Sequence, residues 1–201
     1  MKAGYLSDKK IKKSFKIGKA AAKLFNKKGY LETSMDHIAA AAKMSKGGLY
    51  HYFSSKDEIL HFVLTNYMDL ILGELEEELF KIEDDLSKIQ FIISRHIDLY
   101  TNNLAEAKTL LHEAHCLPGK YYNSIAAKER EYYRIVANVL SEFLGGEAKT
   151  DKAQVTSLTF LLFGMCNWIY SWYDPKGAIS PENLSKMIWT VFLKGVNEFR
   201  A

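Results

Sequence analysis

The sequence predicts an all-α protein, with a small three-helix N-terminal part ahead of a larger helical body and about nine helices in total. Apolar residues recur at spacings of three and four along most of the 201 residues, which is the period of an amphipathic helix. No segment shows the alternating pattern of a half-buried strand bounded by turn residues, and the chain has only three prolines. No run approaches the ~18 apolar residues that a membrane-spanning helix needs.

Charge is distributed unevenly along the chain. Residues 1–60 hold 13 lysines and five acidic residues, a balance of +8, whereas residues 61–201 carry −5. This asymmetry indicates an anionic partner for the N-terminal part alone. One alternative is an ordinary solvated lysine-rich helix, and another is a membrane-surface protein that uses Lys9, Lys10, Lys12, Lys13 and Lys16. The first residues lack the apolar core of a signal peptide and the two cysteines follow no spaced pattern, so a cytoplasmic location is expected.

The first helix is predicted over roughly Asp8–Lys28. Its apolar residues lie three and four apart and should form one buried face, made of Ile11, Phe15, Gly18, Ala22 and Phe25. Lys27 and Lys28 stand at the C-terminal end, where the helix dipole favours cations. Gly29 follows, and it can adopt the left-handed conformation that closes a helix.

Two short helices and a longer one should come next. Thr33-Ser34-Met35-Asp36 is typical of a capped helix start, with Ile38, Ala39 and Ala42 facing inward and an end near Lys43. A turn at Met44-Ser45 leads to a helix from Lys46 to about Tyr52. Ser55-Lys56-Asp57-Glu58 then has the form of a capping box that opens a fourth helix through about Lys81. Two short helices joined by a tight turn indicate a helix-turn-helix domain over residues 1–56, with residues 57–201 as the body.

The body is predicted to contain five more helices, near residues 87–103, 105–117, 119–144, 152–173 and 181–199. Gly145-Gly146 separates two of them, and Thr150 can cap the next. Ser180-Pro181-Glu182 combines a capping residue, a proline at the first helical position and an acid in the first turn, which together predict a helix start.

The segment MSKGGLYHYFSSK, residues 44–56, would be the part of the helix-turn-helix that reads DNA. Its second helix enters the major groove while flanking groups hold phosphates. Gly47 and Gly48 would allow backbone amides to approach a phosphate or a base edge. Tyrosine and histidine side chains can donate to phosphates or contact thymine methyl groups. Leu49 and Phe53, four residues apart, are expected in the core, and Tyr50 suits either role.

Residues 33–60 closely resemble the DNA-binding signature of TetR-family transcriptional regulators. The matching residues are Thr33, Ile38-Ala39, Gly48-Leu49-Tyr50, Tyr52-Phe53, Lys56 and Leu60, with mild departures at Met44 and Tyr52. The resemblance implies a homodimer on a palindromic operator, a body that binds a small effector, and a dimer interface formed by the last two helices. It places Thr33, Lys46, Tyr50, Tyr52 and Lys56 at phosphate-contacting positions and Ser45, Gly47, Gly48 and His51 at groove-facing ones.

Residues 160–196 resemble the C-terminal part of TetR-family members that respond to acyl-CoA thioesters. The matching residues are Gly164, Asn167-Trp168, Trp172-Tyr173, Pro175, Gly177, Ile179-Ser180 and Gly195-Val196. The resemblance implies an acyl-CoA or another hydrophobic effector, although the same residues also suit packing of a dimer interface. The regulator would then work by a population shift, in which effector binding tilts the fourth helix and releases the operator.

A mostly apolar cavity with a few polar anchors is the general form of a ligand site. The candidate ligand-binding residues are Arg95, Tyr100, His112, Tyr121, Tyr122, Tyr133, Asn167 and Trp168, with His96 and Tyr132 as further polar points. Arg95 could meet a phosphate or a carboxylate. For each of these residues the alternative is an ordinary place in the core or on the surface.

An alternative interpretation concerns LHEAHC, residues 111–116, where His112, His115 and Cys116 could coordinate a metal. The chain would then be a metal-responsive sensor or a metal-dependent helical enzyme. The histidines lie three apart instead of the four of the His-Glu-x-x-His motif, which argues against zinc peptidase chemistry. No catalytic residue and no cofactor are predicted, because no nucleophile elbow or phosphate-binding loop is present in the sequence.

Overall fold

The computed structural model describes residues 8–146 and 151–199, and every regular element in this part of the chain is helical. The all-α prediction is therefore confirmed. The α-helices are α1 (Asp8–Lys28), α2 (Met35–Ala41), α3 (Lys46–Tyr50), α4 (Lys56–Leu72), α5 (Leu75–Phe80), α6 (Asp85–Asn102), α7 (Leu104–Glu113), α8 (Gly119–Phe143), α9 (Lys152–Asn167) and α10 (Pro181–Val196). Short 3₁₀ helices follow α7, α9 and α10, at Ala114–Cys116, Trp168–Ser171 and Asn197–Phe199.

The chain forms two compact units. The first unit contains residues 1–69 and 105–127, and the second contains residues 70–104 and 128–201. The first unit thus holds α1 to α3, most of α4, α7 and the beginning of α8. The predicted division at residue 56 remains a prediction about functional domains.

The core of the first unit is built on one face of α1. Ile17 and Phe25 are buried, and a Cβ atom on Gly18 would lie 3.3 Å from the ring of Phe62 on α4. Small residues at this point of α1 let the two helices approach closely. The predicted apolar face is wrong at its first two positions, since Ile11 is 40% and Phe15 43% exposed. The buried face of α1 begins at Ser14 and Ile17, so only the edge of Phe15 touches Phe62.

Helix α7 and the start of α8 pack on the N-terminal helices within the first unit. The side chain of Asn26 donates to the Ala105 carbonyl at 2.6 Å, and the Tyr30 amide donates to the Glu113 carboxylate at 3.2 Å. On α4, the His61 ring stacks on Tyr121 with ring centroids 4.3 Å apart. These contacts explain why residues 105–127 belong to the same unit as the helix-turn-helix.

The predicted fourth helix does not continue to Lys81. Helix α4 ends at Leu72, and α5 begins only after Glu74, which has a left-handed φ of 58°. Arg95 of α6 stabilises this break, because its guanidinium donates to the carbonyls of Leu70 at 3.2 Å and of Gly73. The predicted nine helices become ten α-helices in the described residues, since the fourth divides in two.

Two helix boundaries of the second unit follow the predicted signals, whereas α9 ends at Asn167 and not near residue 173. The Ser180 hydroxyl accepts from the Asn183 amide at 3.2 Å, with Pro181 at the first helical position. Gly145 and Gly146 both have positive φ and lie just beyond the last residue of α8. The predicted cap Thr150 lies outside the described residues, and Asp151 caps α9 instead. Among the described residues, no helix combines the length and the apolarity needed to cross a membrane.

Candidate nucleic-acid interface and candidate effector site

Side-chain caps hold α2 and α3 in a tight helix-turn-helix. Ser34 accepts from the His37 amide at 3.2 Å, and the His37 ring accepts from the Ser34 amide, so histidine replaces the usual acid of a capping box. Ser45 caps α3 by accepting from the Gly48 amide at 3.1 Å. Lys43 lies in the turn with a left-handed φ of 56°. The two short helices are therefore defined by local hydrogen bonds as well as by packing.

The two expected core residues anchor α3 to the first unit. Leu49 is completely buried and Phe53 is 4% exposed, as the sequence predicts. Tyr50, which suited either role, is 47% exposed and so belongs to the surface. The predicted DNA-reading residues Ser45, Lys46, Gly47 and His51 are also exposed, whereas Gly48 and Tyr52 are half-buried.

Lys46 is the cation at the start of α3. Its ammonium lies 3.0 Å from the Asp36 carboxylate of α2, and both side chains are mostly exposed. The hydrogen bond from this ammonium to the carboxylate raises the pKa of Lys46. The pair joins the two helices of the motif, but an exposed ion pair is weak and can exchange Asp36 for a phosphate.

Two of the predicted phosphate contacts have their polar groups engaged within the protein. Thr33 is 1% exposed, and its hydroxyl donates to the Gly29 carbonyl at 2.8 Å. The hydroxyl hydrogen of Thr33 therefore already has an acceptor at the end of α1, and its predicted phosphate contact stays a prediction. The Lys56 ammonium donates to the carbonyls of Tyr30 at 2.7 Å and of Leu31 at 3.2 Å. Its charge also lies 4.2 Å from the centre of the Tyr30 ring.

The loop before α2 has a second connection to α4. The Tyr30 hydroxyl donates to the Asp57 carboxylate, and burial together with this carboxylate raises the pKa of Tyr30. Lys56 and Asp57 therefore hold the loop through one tyrosine. Tyr30 was not predicted in this role, although an aromatic residue just after a helix-closing glycine is a usable signal.

The two glycines of α3 differ in their surroundings. A Cβ atom on Gly47 would have no neighbour within 4 Å, and its φ is not positive. A Cβ atom on Gly48 would lie 3.1 Å from the Ser45 hydroxyl that caps the helix. The fold thus explains a glycine at residue 48 but offers no reason for one at residue 47.

A half-buried polar cluster lies in the second unit. The His96 ring is within 2.9 Å of both the Tyr132 hydroxyl and the Asn167 side-chain oxygen, which joins α6 to α8 and α9. Burial lowers the pKa of His96 to about 4, so the ring is neutral near pH 7. It donates to Asn167 through Nε2 and accepts from Tyr132 through Nδ1. The rings of Tyr100 and Phe163 flank it at 6.4 and 6.2 Å.

Tyr100 is the unusual member of this cluster. Its side chain is 2% exposed, yet its hydroxyl has no hydrogen-bond partner within the described residues. Burial raises the pKa of this hydroxyl, so it remains a donor. A buried unsatisfied hydroxyl is costly and is therefore rare in folded proteins.

The remaining ligand candidates of the second unit occupy other positions. Arg95 forms an ion pair with Glu78 at 3.0 Å besides bonding to the carbonyls at the end of α4, and its expected role as an anchor for a ligand anion stays a prediction. The Tyr133 hydroxyl donates to Thr156 at 3.0 Å. Trp168 is 62% exposed at the start of a 3₁₀ helix. Of the predicted ligand residues, the structure brings Tyr100 and Asn167 into one cluster, and it adds Phe163, which the sequence analysis did not single out.

His112, Tyr121 and Tyr122 belong to the first unit. The metal interpretation also lacks a site, because the described residues contain no group of three or more potential ligands placed to hold an ion. Helix α7 ends at Glu113, and the following 3₁₀ turn changes the helical register that would have aligned His112 with His115. The Cys116 sulfur lies 3.5 Å from the His115 ring and 3.8 Å from the Glu113 carboxylate, but these groups are not arranged to hold one ion together.

Two family models match most of the chain. Residues 17–63 match the model of bacterial regulatory proteins of the tetR family, and residues 83–196 match a tetracyclin repressor-like C-terminal domain. The HTH-type transcriptional repressor KstR2 of Mycolicibacterium smegmatis is 22% identical over 180 residues, which covers 89% of this chain and 87% of that protein.

Solved structures agree with these matches. A TetR-family transcriptional regulator from Bordetella parapertussis superposes with a TM-score of 0.85 at 29% identity, covering 94% of this chain and 95% of that one. The structure of AibR in complex with isovaleryl coenzyme A and operator DNA has a TM-score of 0.78 at 27% identity, covering 89% of this chain and 97% of that one.

Proposed function

The chain belongs to the TetR family of bacterial transcriptional regulators, and from this premise we propose that it is a repressor released from a palindromic operator by a hydrophobic effector. The observation that carries the proposal is the exposed polar surface of α3, held by the buried Leu49 and Phe53. As a family member it is a regulator and not an enzyme. Such a protein would act in the cytoplasm.

The proposed DNA-reading set is smaller than the sequence alone indicates. Ser45, Gly47 and His51 face the groove, while Lys46, Tyr50 and Tyr52 hold phosphates. Thr33 and Lys56 position the motif, since their polar groups bond to carbonyls of the loop before α2. Gly48 protects the Ser45 cap and places its own amide at the start of α3.

The DNA-binding proposal is tested by selecting duplexes from a random pool with the full-length protein. We expect a two-fold symmetric sequence, with half-sites about 10 bp or a multiple apart, because a dimer presents two equivalent helices. Tyr50→Phe should weaken binding to selected and unrelated duplexes alike, since a phosphate contact carries no sequence information. An asymmetric selected site, or failure to enrich any sequence, would refute this proposal.

The proposed dimer interface lies on α9, α10 and the segment between them. These elements expose large apolar side chains, namely Phe160, Leu161, Trp168, Trp172, Met187 and Val191, each more than half exposed in the single chain. An apolar surface of this kind on one chain indicates a protein interface. In the family, the last two helices supply it.

Light scattering on variants tests this interface. Leu161→Glu places a charge on it, so we expect a monomer and loss of operator binding. Phe80→Glu is the matched control, because Phe80 is 91% exposed but lies on α5. A dimeric Leu161→Glu protein would show that the interface is elsewhere.

The proposed effector site includes the cluster around His96. The free hydroxyl of Tyr100 can donate to a neutral acceptor such as a thioester carbonyl, and the flanking rings suit an apolar chain. The cluster contains no charged side chain, because the His96 ring is neutral and the other members are tyrosines, a phenylalanine and an asparagine. An acyl-CoA would therefore place its acyl group here and its phosphates outside the cluster. The AibR complex with isovaleryl coenzyme A supports this class of effector.

Helix α6 offers a route from this site to the DNA-binding helices. It carries His96 and Tyr100, and it also carries Arg95, which holds the last carbonyls of α4. The first turn of α4 carries Lys56, which bonds to the loop before α2. An effector that shifts α6 would thus act on α4 and lower operator affinity.

A panel of acyl-CoAs, matched free acids and coenzyme A alone tests the effector proposal. We expect operator release by an acyl-CoA and not by coenzyme A. Tyr100→Phe should raise the acyl-CoA concentration needed for half-maximal operator release by about 10-fold, which corresponds to the loss of one hydrogen bond. The affinity for the operator without effector should not change. Tyr133→Phe is the control, since its hydroxyl already has a partner. This assignment would be overturned if none of the acyl-CoAs released the operator, or if Tyr100→Phe and the wild type responded to the same acyl-CoA concentration.

A further inference from the structure

Helix α1 carries a row of lysines that the helix-turn-helix does not use. The row, called here the lysine stripe, consists of Lys9, Lys12, Lys16, Lys19, Lys23 and Lys27. All six side chains are exposed. Their spacings of three and four place them within a sector of about 80° on the helix, at ~100° per residue.

The stripe lies opposite the side of α1 that packs in the core. The buried residues Ile17, Ala21 and Phe25 are about half a helical turn away from it. The stripe is therefore a surface of its own unit, and this unit also contains α3. From Lys9 to Lys27 it is about 27 Å long at ~1.5 Å per residue, which corresponds to roughly 8 bp of duplex.

The charge of this helix is not compensated within the described residues. α1 holds nine lysines and one acid, Asp8, and none of the lysines forms an ion pair or a side-chain hydrogen bond there. Lys12–Lys16 and Lys19–Lys23 are like-charge pairs four residues apart, which oppose helix formation. A helix that served only solubility would carry both signs. The charge of the stripe is therefore available to an anion from outside the described residues.

We propose that the lysine stripe binds the phosphate backbone of DNA that flanks the operator, so that the protein covers more duplex than α3 reads. This inference rests on the proposed DNA-binding function. Charge complementarity and the presence of the stripe on the same unit as α3 favour DNA over other polyanions. The contact is independent of sequence, since lysine meets phosphates as a point charge. It adds affinity and salt dependence without changing which operator is chosen.

Two duplexes separate this contact from operator reading. One is the selected operator with minimal ends, and the other carries flanks of about 15 bp on each side, longer than the stripe. The test variant replaces Lys12, Lys16, Lys19 and Lys23 by Gln, which keeps a helix-forming side chain. The control replaces Lys81, Lys108, Lys120 and Lys128 by Gln, with the same change in net charge, and these four lysines lie outside the helix-turn-helix and outside the proposed dimer interface. A Lys→Arg version of the test variant keeps the charge.

Binding is measured by fluorescence anisotropy over a salt series, and circular dichroism establishes that each variant is folded. On the flanked duplex, we expect the Gln variant to lose about 0.9 in the slope of log Kd against log salt for each contact removed, which is about 2 to 4 for each protomer of the dimer. On the minimal duplex its slope should match that of the wild type. The Arg version and the body-lysine control should behave as wild type on both duplexes.

Each other outcome contradicts the proposal. Equal slopes for the stripe and body-lysine variants on the flanked duplex would show that the stripe does not meet DNA. An equal loss on both duplexes would place its contacts inside the operator. If the stripe variant instead loses binding only to vesicles rich in anionic lipid, the surface serves a membrane. Failure of the wild type to prefer any operator would count against the proposed function. The salt slopes of the stripe variant and the wild type would then be compared on a duplex of unrelated sequence.

Discussion

Replacing Gly47 by Ala should stabilise the protein and weaken its binding to DNA. The folded structure accepts the new methyl group, because a Cβ atom on Gly47 would meet nothing within 4 Å and the backbone φ is not positive. The unfolded chain loses conformational freedom, which contributes about 0.4–1 kcal/mol to the free energy of unfolding. For a chain of this size, the melting temperature should rise by about 1–4 °C.

On DNA the same methyl group should have the opposite effect. If the backbone of α3 approaches a phosphate or base edge at Gly47, the Cβ atom occupies that space and lengthens a charge-assisted hydrogen bond. Losing such a bond costs about 1.5–3 kcal/mol, or roughly 10- to 100-fold in affinity for each half-site. The fold itself requires no glycine here, so an effect on DNA binding cannot be attributed to misfolding.

Gly119→Ala is the matched control for this prediction. Gly119 begins α8, is exposed, and also has no neighbour within 4 Å of an added Cβ atom. It should raise the melting temperature without changing the Kd for the operator. Differential scanning calorimetry and fluorescence anisotropy measure the two quantities. If Gly47→Ala binds the operator as tightly as Gly119→Ala does, close backbone approach is not the reason for Gly47.

Three further substitutions test the assignments made from the contacts. Thr33→Val should lower the free energy of unfolding by about 1 kcal/mol, measured by urea denaturation, and leave operator affinity unchanged, because its hydroxyl already donates to the Gly29 carbonyl. Arg95→Met should cost about 1–3 kcal/mol by leaving carbonyls of α4 uncapped, and the folded fraction should bind the operator but resist release by effector. His96 is neutral when folded, with a pKa of about 4, but takes up a proton below pH 6.5 when unfolded. The contribution of neutral His96 to the free energy of unfolding is therefore complete above pH 6.5 and is lost as the pH falls towards 4, about 3 kcal/mol in all. We expect His96→Gln to remove this part of the pH dependence of stability, measured by urea denaturation. A pH profile identical to that of the wild type would contradict the assignment for His96.

Local patterns predicted the helices and their caps well. The bounds of α1 follow from its apolar period and from Gly29, and the start of α10 follows from Ser180 and Pro181. These signals act between residues a few positions apart, so they can be read without the fold. The same holds for Leu49 and Phe53, whose burial follows from their place on one face of a short motif.

Partners distant in sequence could not be predicted in this way. From the sequence, Lys56 is a suitable phosphate ligand. In the structure, its ammonium donates to the carbonyls of Tyr30 and Leu31. From the sequence, Arg95 is a suitable anchor for an anion. In the structure, its guanidinium lies at the end of α4 and donates to the Leu70 carbonyl, which stabilises the end of that helix at Leu72. In both cases the cation has the expected properties, but the fold places backbone carbonyls within hydrogen-bonding distance of it.

By itself, the sequence determined that the protein is helical, that α2 and α3 form a TetR-type DNA-reading motif, and that positive charge is concentrated at its N-terminal end. Only the tertiary structure decided which polar groups remain available. It placed the Thr33 hydroxyl and the Arg95 guanidinium on backbone carbonyls, joined His96 to Asn167, and left Tyr100 without a partner among the described residues. The physical reason is that helix formation depends on neighbouring residues, whereas the satisfaction of a donor depends on whatever the fold brings within about 3 Å of it.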